Sequence, residues 1–276
     1  MYLLSLFFIS FSLLAAQVTG QITEIDKAKS EEEETLLFLS GGEVLKIDEK
    51  QEKLEFIEMN RLETFQFEID SNRHVKGIHI LNNIKKELSH SYKARENLSM
   101  FVPTTLPNLN LAQKYHREGR RNQKDSQCFN RAMIWSFEWW QRYQLKSMKL
   151  FIFFSRNYIR KYNFEWWFHV APYVHVLHED KIQEKVMDLK YTSRPLNFRD
   201  WSNIFMKNNA ECLVINNYSE YADFPYHGDC FLQRTHMFTY QPADLQMYES
   251  WGTEKFEFNL EEVKGAYLEA FDMIYE

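Results

Sequence analysis

The chain has 276 residues, 45% hydrophobic and 26% charged, with only 8 Gly and 6 Pro, which excludes wholesale disorder and allows one large core plus a smaller appendage. The net charge of −6 and pI near 5.9 argue against a nucleic-acid binder, and the Lys and Arg residues between Lys114 and Lys124 read as a solvated loop. Aromatic residues make up 16% of the chain and include seven Trp, pointing to a rigid core or an aromatic-lined cleft.

Tyr2 to Ala16 is a mostly apolar run, and the chain turns polar from Gln21. That run is too short for a comfortable membrane span and suits the h-region of a secretory signal peptide, with a cut after Ala16 or Gly20. No Lys or Arg precedes Lys27, so the amino terminus alone supplies the positive end. The expectation is a signal peptide at residues 1–20 and a secreted or periplasmic protein, with membrane attachment only if the segment stays uncleaved.

Residues 21–100 form a β-rich segment after the acidic run Glu31 to Glu34. Strands are expected at Leu36–Leu39, Glu43–Ile47, Lys53–Met59 and Thr64–Ile69, punctuated by Gly41-Gly42 and Asn60-Arg61, with a helix near Leu81–Ser89. Asn97, Pro103 and Pro107 mark a looser boundary. Lying between a signal peptide and a larger domain, the segment reads as a propeptide or as an accessory domain.

Residues 101–245 form the main domain and 246–276 a helical extension. Leu109–Arg117 patterns as a helix, and a polar loop then leads into a stronger one from Cys128 to about Leu145, with Asp125 or Ser126 as N-cap. Phe129, Ala132, Met133, Phe137 and Trp140 recur at helical spacing and mark a buried face. Strands are expected at Lys149–Ser155, Trp166–Leu177 and Glu184–Tyr191. In the second of these, Trp167, His169 and Ala171 share one face. Asn259 and Glu262 form a capping-box pattern for a final helix.

In an oxidising compartment two of the three cysteines can pair. Cys212 and Cys230, both in a polar loop-like region, would close a short loop and leave Cys128 alone. Cys128 stands where a polar loop becomes a helix, and there the free N–H groups and the helix dipole favour an anion. His169 on a neighbouring strand could pair with that sulfur as base, and Asp188 on the next strand could hold the imidazole by its remote nitrogen. A bare Cys, His, Asp order is common in chains this long, and the local strings carry more information.

Asp125-Ser-Gln-Cys128-Phe-Asn-Arg131-Ala132, then Glu165-Trp-Trp-Phe-His169-Val-Ala-Pro172, then Met187-Asp188 with Pro195 and Trp201 downstream, resemble the bacterial protein-glutaminase (protein-deamidating) family over roughly residues 105–232. The resemblance implies an α+β, papain/transglutaminase-like catalytic domain with its nucleophile at a helix N-terminus packed on an antiparallel sheet. It also implies hydrolysis of glutamine side-chain amides in proteins and a secreted proenzyme whose N-terminal segment blocks the cleft. Cys128, His169 and Asp188 take the catalytic positions. Met133 stands where the family usually has histidine, and Gln127 where it usually has glycine before the nucleophile.

Trp166 and Trp167 are candidates to line a substrate cleft. His175, His178 and Glu179, and likewise His227, Asp229 and Cys230, lack a zinc-like spacing, so no metal or cofactor is expected. The expected partners are proteins or peptides bearing glutamine. The alternatives are a related thiol peptidase or transglutaminase, or a catalytically inactive binding protein of the envelope.

Overall fold

The computed structural model describes residues 16–30, 33–47, 51–61, 63–81, 95–97, 101–119, 126–207, 211–251 and 257–275. The chain divides into two compact units, one of Met1–Ser40 and Val44–Lys85, the other of Gly41–Glu43 and Lys86–Glu276.

In the smaller unit, β1 (Ala16–Asp26), β2 (Thr35–Leu39), β3 (Val44–Ile47), β4 (Thr64–Ile69) and β5 (Val75–Leu81) form a five-stranded antiparallel sheet in the order β3-β2-β1-β4-β5. Alternation in β4 turns Phe65, Phe67 and Ile69 into a core with Leu37, Leu39, Leu45 and Ile47. Lys53–Met59, read above as a strand, is instead most of the helix α1 (Gln51–Met59). Leu54 and Ile57 lie one helical turn apart and pack on that core, leaving Phe56 and Met59 exposed, and the Glu and Lys around them favour a helix. The helix expected near Leu81–Ser89 falls almost wholly outside the described residues, and Leu81 itself ends β5.

The larger unit contains β6 (Arg95–Asn97), β7 (Thr105–Leu106), α2 (Leu109–Glu118), α3 (Cys128–Tyr143), β8 (Met148–Phe154), α4 (Arg156–Tyr162), β9 (Phe168–His178) and β10 (Lys181–Val186). There follow α5 (Phe198–Ser202), β11 (Leu213–Ile215), α6 (Tyr218–Ala222), β12 (Cys230–His236), α7 (Pro242–Trp251), β13 (Glu257–Asn259) and α8 (Leu260–Tyr275). Its main sheet runs β10-β9-β8-β12-β11, antiparallel except for the β11–β12 pair, and β7 adds in parallel to β9. The fold is thus mixed α+β with largely antiparallel sheets.

α3 is buried on more than the one face expected, from Cys128 through Trp139 without a break. Phe129 stacks toward Phe168 of the sheet, while Phe137 stacks on Tyr267 of α8 at 4.5 Å. The C-terminal helix therefore packs on α3. The side chains of the Asn259–Glu262 cap fall outside the described residues. Among the described residues no helix is long and apolar enough to cross a membrane.

Candidate functional site

Cys128 opens α3. The N-cap is Gln127, in extended backbone and making no side-chain cap bond, where Asp125 or Ser126 was expected. Ser126 is engaged otherwise: the Arg131 Nη1 donates to its carbonyl and lies 3.4 Å from its hydroxyl. The guanidinium of the first helical turn thus folds back over the entering loop and fixes how the chain reaches Cys128. Asp125 is not among the described residues.

His169 is the second residue of β9, opposite Ile152 of β8. Asp188 lies two residues past the end of β10, in a turn rather than mid-strand. The strand stops because Val186 pairs with Leu196 (N···O 2.7 and 3.1 Å), closing the intervening residues into a loop. The Asp188 Oδ2 meets His169 Nε2 at 2.7 Å, and both side chains are buried. Cys128 hydrogen-bonds the same ring, so the three residues named from the sequence come together around one imidazole.

Burial alone would disfavour the His169 imidazolium. The Asp188 charge and hydrogen bond, with a smaller contribution from Cys128, outweigh it and raise the group to about 9. For Asp188 burial likewise opposes ionisation. The His169 charge and hydrogen bond, the indole N–H of Trp201 and the charge of Arg131 overcome it and keep the carboxyl below its ordinary range.

Aromatic rings enclose the imidazole. Phe205 lies 4.6 Å from it, Tyr191 5.2 Å in a T-shaped approach, Trp201 5.7 Å, and Trp166 stacks at 6.0 Å. Of the two tryptophans singled out, it is Trp166 that flanks His169, and it is only partly buried. Trp167 is buried against Phe168, Phe153 and Tyr221. The chain bends at Trp167 and β9 starts only at Phe168, so the alternation that would place Trp167 beside His169 does not extend that far.

Sequence reasoning did not find His116, Thr192, Tyr191 or Phe205. The Thr192 hydroxyl donates to the Asp188 carbonyl (2.8 Å) and lies 3.0 Å from His116 Nε2, which ties α2 to the Asp188 turn. Nothing in their spacing marks them, because they act through a loop whose shape is set by tertiary contacts.

Gly41–Glu43 also belong to this unit. The Trp167 N–H donates to Gly42 O at 2.9 Å, and Glu43 bridges Trp166 in antiparallel fashion. A Cβ on Gly42, whose φ is +97°, would lie 3.2 Å from the Phe168 ring, and one on Gly41 would collide with the Gln127 side-chain amide.

Cys212 and Cys230 form a disulfide, which leaves Cys128 as the free thiol. No group of three or more His, Cys, Asp or Glu among the described residues could hold a metal ion. A buried thiol, an imidazole with an elevated proton affinity and a carboxylate fixing that imidazole are together able to perform acyl transfer through a covalent intermediate.

Residues 106–205 match the family described as glutaminase. That segment carries Cys128, His169 and Asp188, and the resemblance to protein-glutaminases is thus found by comparison with the family as well as in the local strings. No curated protein matches the chain. Among solved structures, a crystal structure of pro-protein-glutaminase is similar with a TM-score of 0.49 and 12% identity, covering 81% of this chain and 83% of that one. The NMR structure of protein-glutaminase from Chryseobacterium proteolyticum gives 0.34 and 12%, over 50% and 77%.

Proposed function

We propose that this chain, whose residues 106–205 match the glutaminase family, is a secreted cysteine-dependent protein deamidase that converts protein-bound glutamine to glutamate and ammonia. The observation that carries the reading is the buried His169–Asp188 pair with the Cys128 thiol on the same ring, within the matched segment.

In the proposed reaction the Cys128 thiolate attacks the glutamine amide carbon while the Cys128 main-chain N–H, at the start of α3, donates to the oxyanion. The His169 imidazolium gives its proton to departing ammonia, leaving a thioester. Water, deprotonated by the same imidazole, attacks the thioester carbonyl, glutamate leaves, and the thiolate–imidazolium pair is restored. Asp188 orients the ring and stabilises its charged form. Trp166, partly exposed beside His169, forms a wall for the substrate, and Trp167 serves packing. The helix-borne cysteine facing a strand-borne histidine supports a papain/transglutaminase-like arrangement.

In this reading the signal peptide lies within residues 1–20, the propeptide follows it to residue 100, 101–245 is the catalytic domain and 246–276 a C-terminal extension. The contacts of Gly41–Glu43 with Trp166, Trp167 and Phe168 support a role for those three residues in covering the cleft.

The test is ammonia release from casein by the full chain, by a form starting near residue 100, and by Cys128→Ala. Release by the shortened form that is lost on Cys128→Ala is the expected result. New peptide termini without ammonia would establish a peptidase instead, and ammonia released together with cross-links rather than new glutamate would establish a transglutaminase. A folded protein with a free thiol and none of these products would leave a binding role.

A further inference from the structure

Trp201 was part of the sequence pattern, yet the reaction above gives it no task. It comes from α5, and its side chain is fully buried, as is that of Asp188. The indole Nε1–H donates to Asp188 Oδ2 at 3.0 Å, the same oxygen that accepts from His169 Nε2 at 2.7 Å. The other carboxylate oxygen, Oδ1, takes a long contact of 3.3 Å from the Lys190 main chain. The indole also lies over the imidazole, 5.7 Å from it with the planes 30° apart, and against Phe205.

A buried indole N–H needs an acceptor, and a buried carboxylate needs donors. Here one bond serves both needs, and it falls on the oxygen that faces the histidine. The support of Trp201 is itself fastened. The Val186–Leu196 pairing pins the base of the loop, Lys185 Nζ donates to Asn197 at the start of α5, and Trp201 N donates to Asn197 O. The Thr192 hydroxyl holds the Asp188 carbonyl from the other side. The carboxylate is thereby held against rotation.

We propose that Trp201 is a positioning residue: its indole N–H fixes the Asp188 carboxylate and, by sharing Oδ2, limits how strongly that oxygen draws the His169 proton. The proposal rests on the reading of Cys128, His169 and Asp188 as the reacting groups. An imidazolium whose partner already accepts a second bond gives up its proton to a leaving amine more readily. Removing the indole N–H makes Asp188 the stronger acceptor, holds the proton on His169 and slows the step that releases ammonia. Trp201 is buried away from solvent, so the affinity for substrate should not change.

The test replaces Trp201 in the full chain with benzothienylalanine, which keeps the bicyclic shape and lacks the N–H, alongside Trp201→Phe. The first readout is the pH profile of Cys128 alkylation by iodoacetamide. The expected result with the isostere is an alkaline limb about half a unit higher, at an unchanged melting temperature. Ammonia release from casein by the same proteins, after activation where the full chain is latent, should show kcat lowered about threefold at constant KM. An unmoved or lowered alkaline limb in the folded isostere protein overturns the proposal, whatever Trp201→Phe does to stability. If the unsubstituted protein releases no ammonia, the deamidase reading fails, while the alkylation profile still decides the role of Trp201.

Discussion

His169 Nε2 and Asp188 Oδ2 meet at 2.7 Å, and the carboxylate is the partner that lets a buried ring carry charge. Asp188→Asn keeps the shape and removes the charge, so burial would then draw the imidazole below its ordinary value. The expected result is a loss of ammonia release of roughly a thousandfold, with the protein still folded. Steady-state assays alongside circular dichroism decide it. Near-normal turnover would show that Asp188 is not the orienting group.

The same pair makes stability depend on pH. His169 has a folded-state value of about 9, above the unfolded value near 6.5, so its contribution is complete below about pH 6.5. It is lost as pH rises through about 9. The expected loss is on the order of 3 kcal/mol, read by denaturant unfolding at pH 6 and pH 9.5 as the difference between wild type and Asp188→Asn. Parallel pH profiles for the two proteins would refute the assignment.

Lys149 presents the opposite sign. It is fully buried on β8, donating to Thr239 O beside the Met133 sulfur, and burial pushes it down to about 7, against a pull from Asp244. Below pH 7 the folded protein must hold a buried charge that the unfolded chain solvates freely, and stability rises as pH climbs from about 7 toward 10.5. Lys149→Met is therefore expected to stabilise at pH 6, by on the order of 3 kcal/mol after loss of one hydrogen bond, and to do little at pH 10. Urea midpoints at the two pH values check this, and destabilisation at pH 6 would contradict it.

Gly42→Ala tests the proposed cover on the cleft. Alanine at a φ of +97°, with its Cβ 3.2 Å from the Phe168 ring, costs about 1–2 kcal/mol locally. If Gly41–Glu43 block substrate, the full chain gains deamidation activity, about fivefold to tenfold, and the form starting near residue 100 is unaffected by design. No gain in a folded full chain that becomes active on truncation would move the block elsewhere.

The proposed export carries a prediction about processing. Ala16 to Gln21 pair with Ile69 to Thr64, so a cut after Gly20 would strip Ala16–Gly20 from a central strand of the smaller sheet. A cut after Ala16 spares almost all of that pairing. Mass spectrometry of the secreted proenzyme is expected to find Gln17 at the amino terminus, and Gln21 would show that the sheet forms without those rungs.

How far the sequence could be read depended on whether local pattern or tertiary closure decided each element. The α3 start at Cys128 and the strand around His169 follow from helical spacing and alternation, and both formed as expected. Asp188 was placed mid-strand because Glu184–Tyr191 looks strand-like throughout. The Val186–Leu196 closure that ends β10 depends on residues ten apart and leaves no periodic trace. Lys53–Met59 alternates as a strand would, but Leu54 and Ile57 also satisfy a helix, and the charged residues around them decided in its favour. The shared bond at Asp188 Oδ2 was out of reach for a different reason, since it depends on where α5 docks.

The Cys212–Cys230 bridge ties residues 18 apart and joins the approach to β11 to the first residue of β12. Starting from three reduced thiols, three pairings are open, and two of them consume Cys128. A mispaired chain would therefore not merely be misfolded at the sheet edge but would have the proposed nucleophile blocked, with Cys212 or Cys230 left as the free thiol instead. The yield of competent protein from any reducing host is set by which thiol is oxidised first, and a mild oxidant supplied after α3 has buried Cys128 should favour the productive partner.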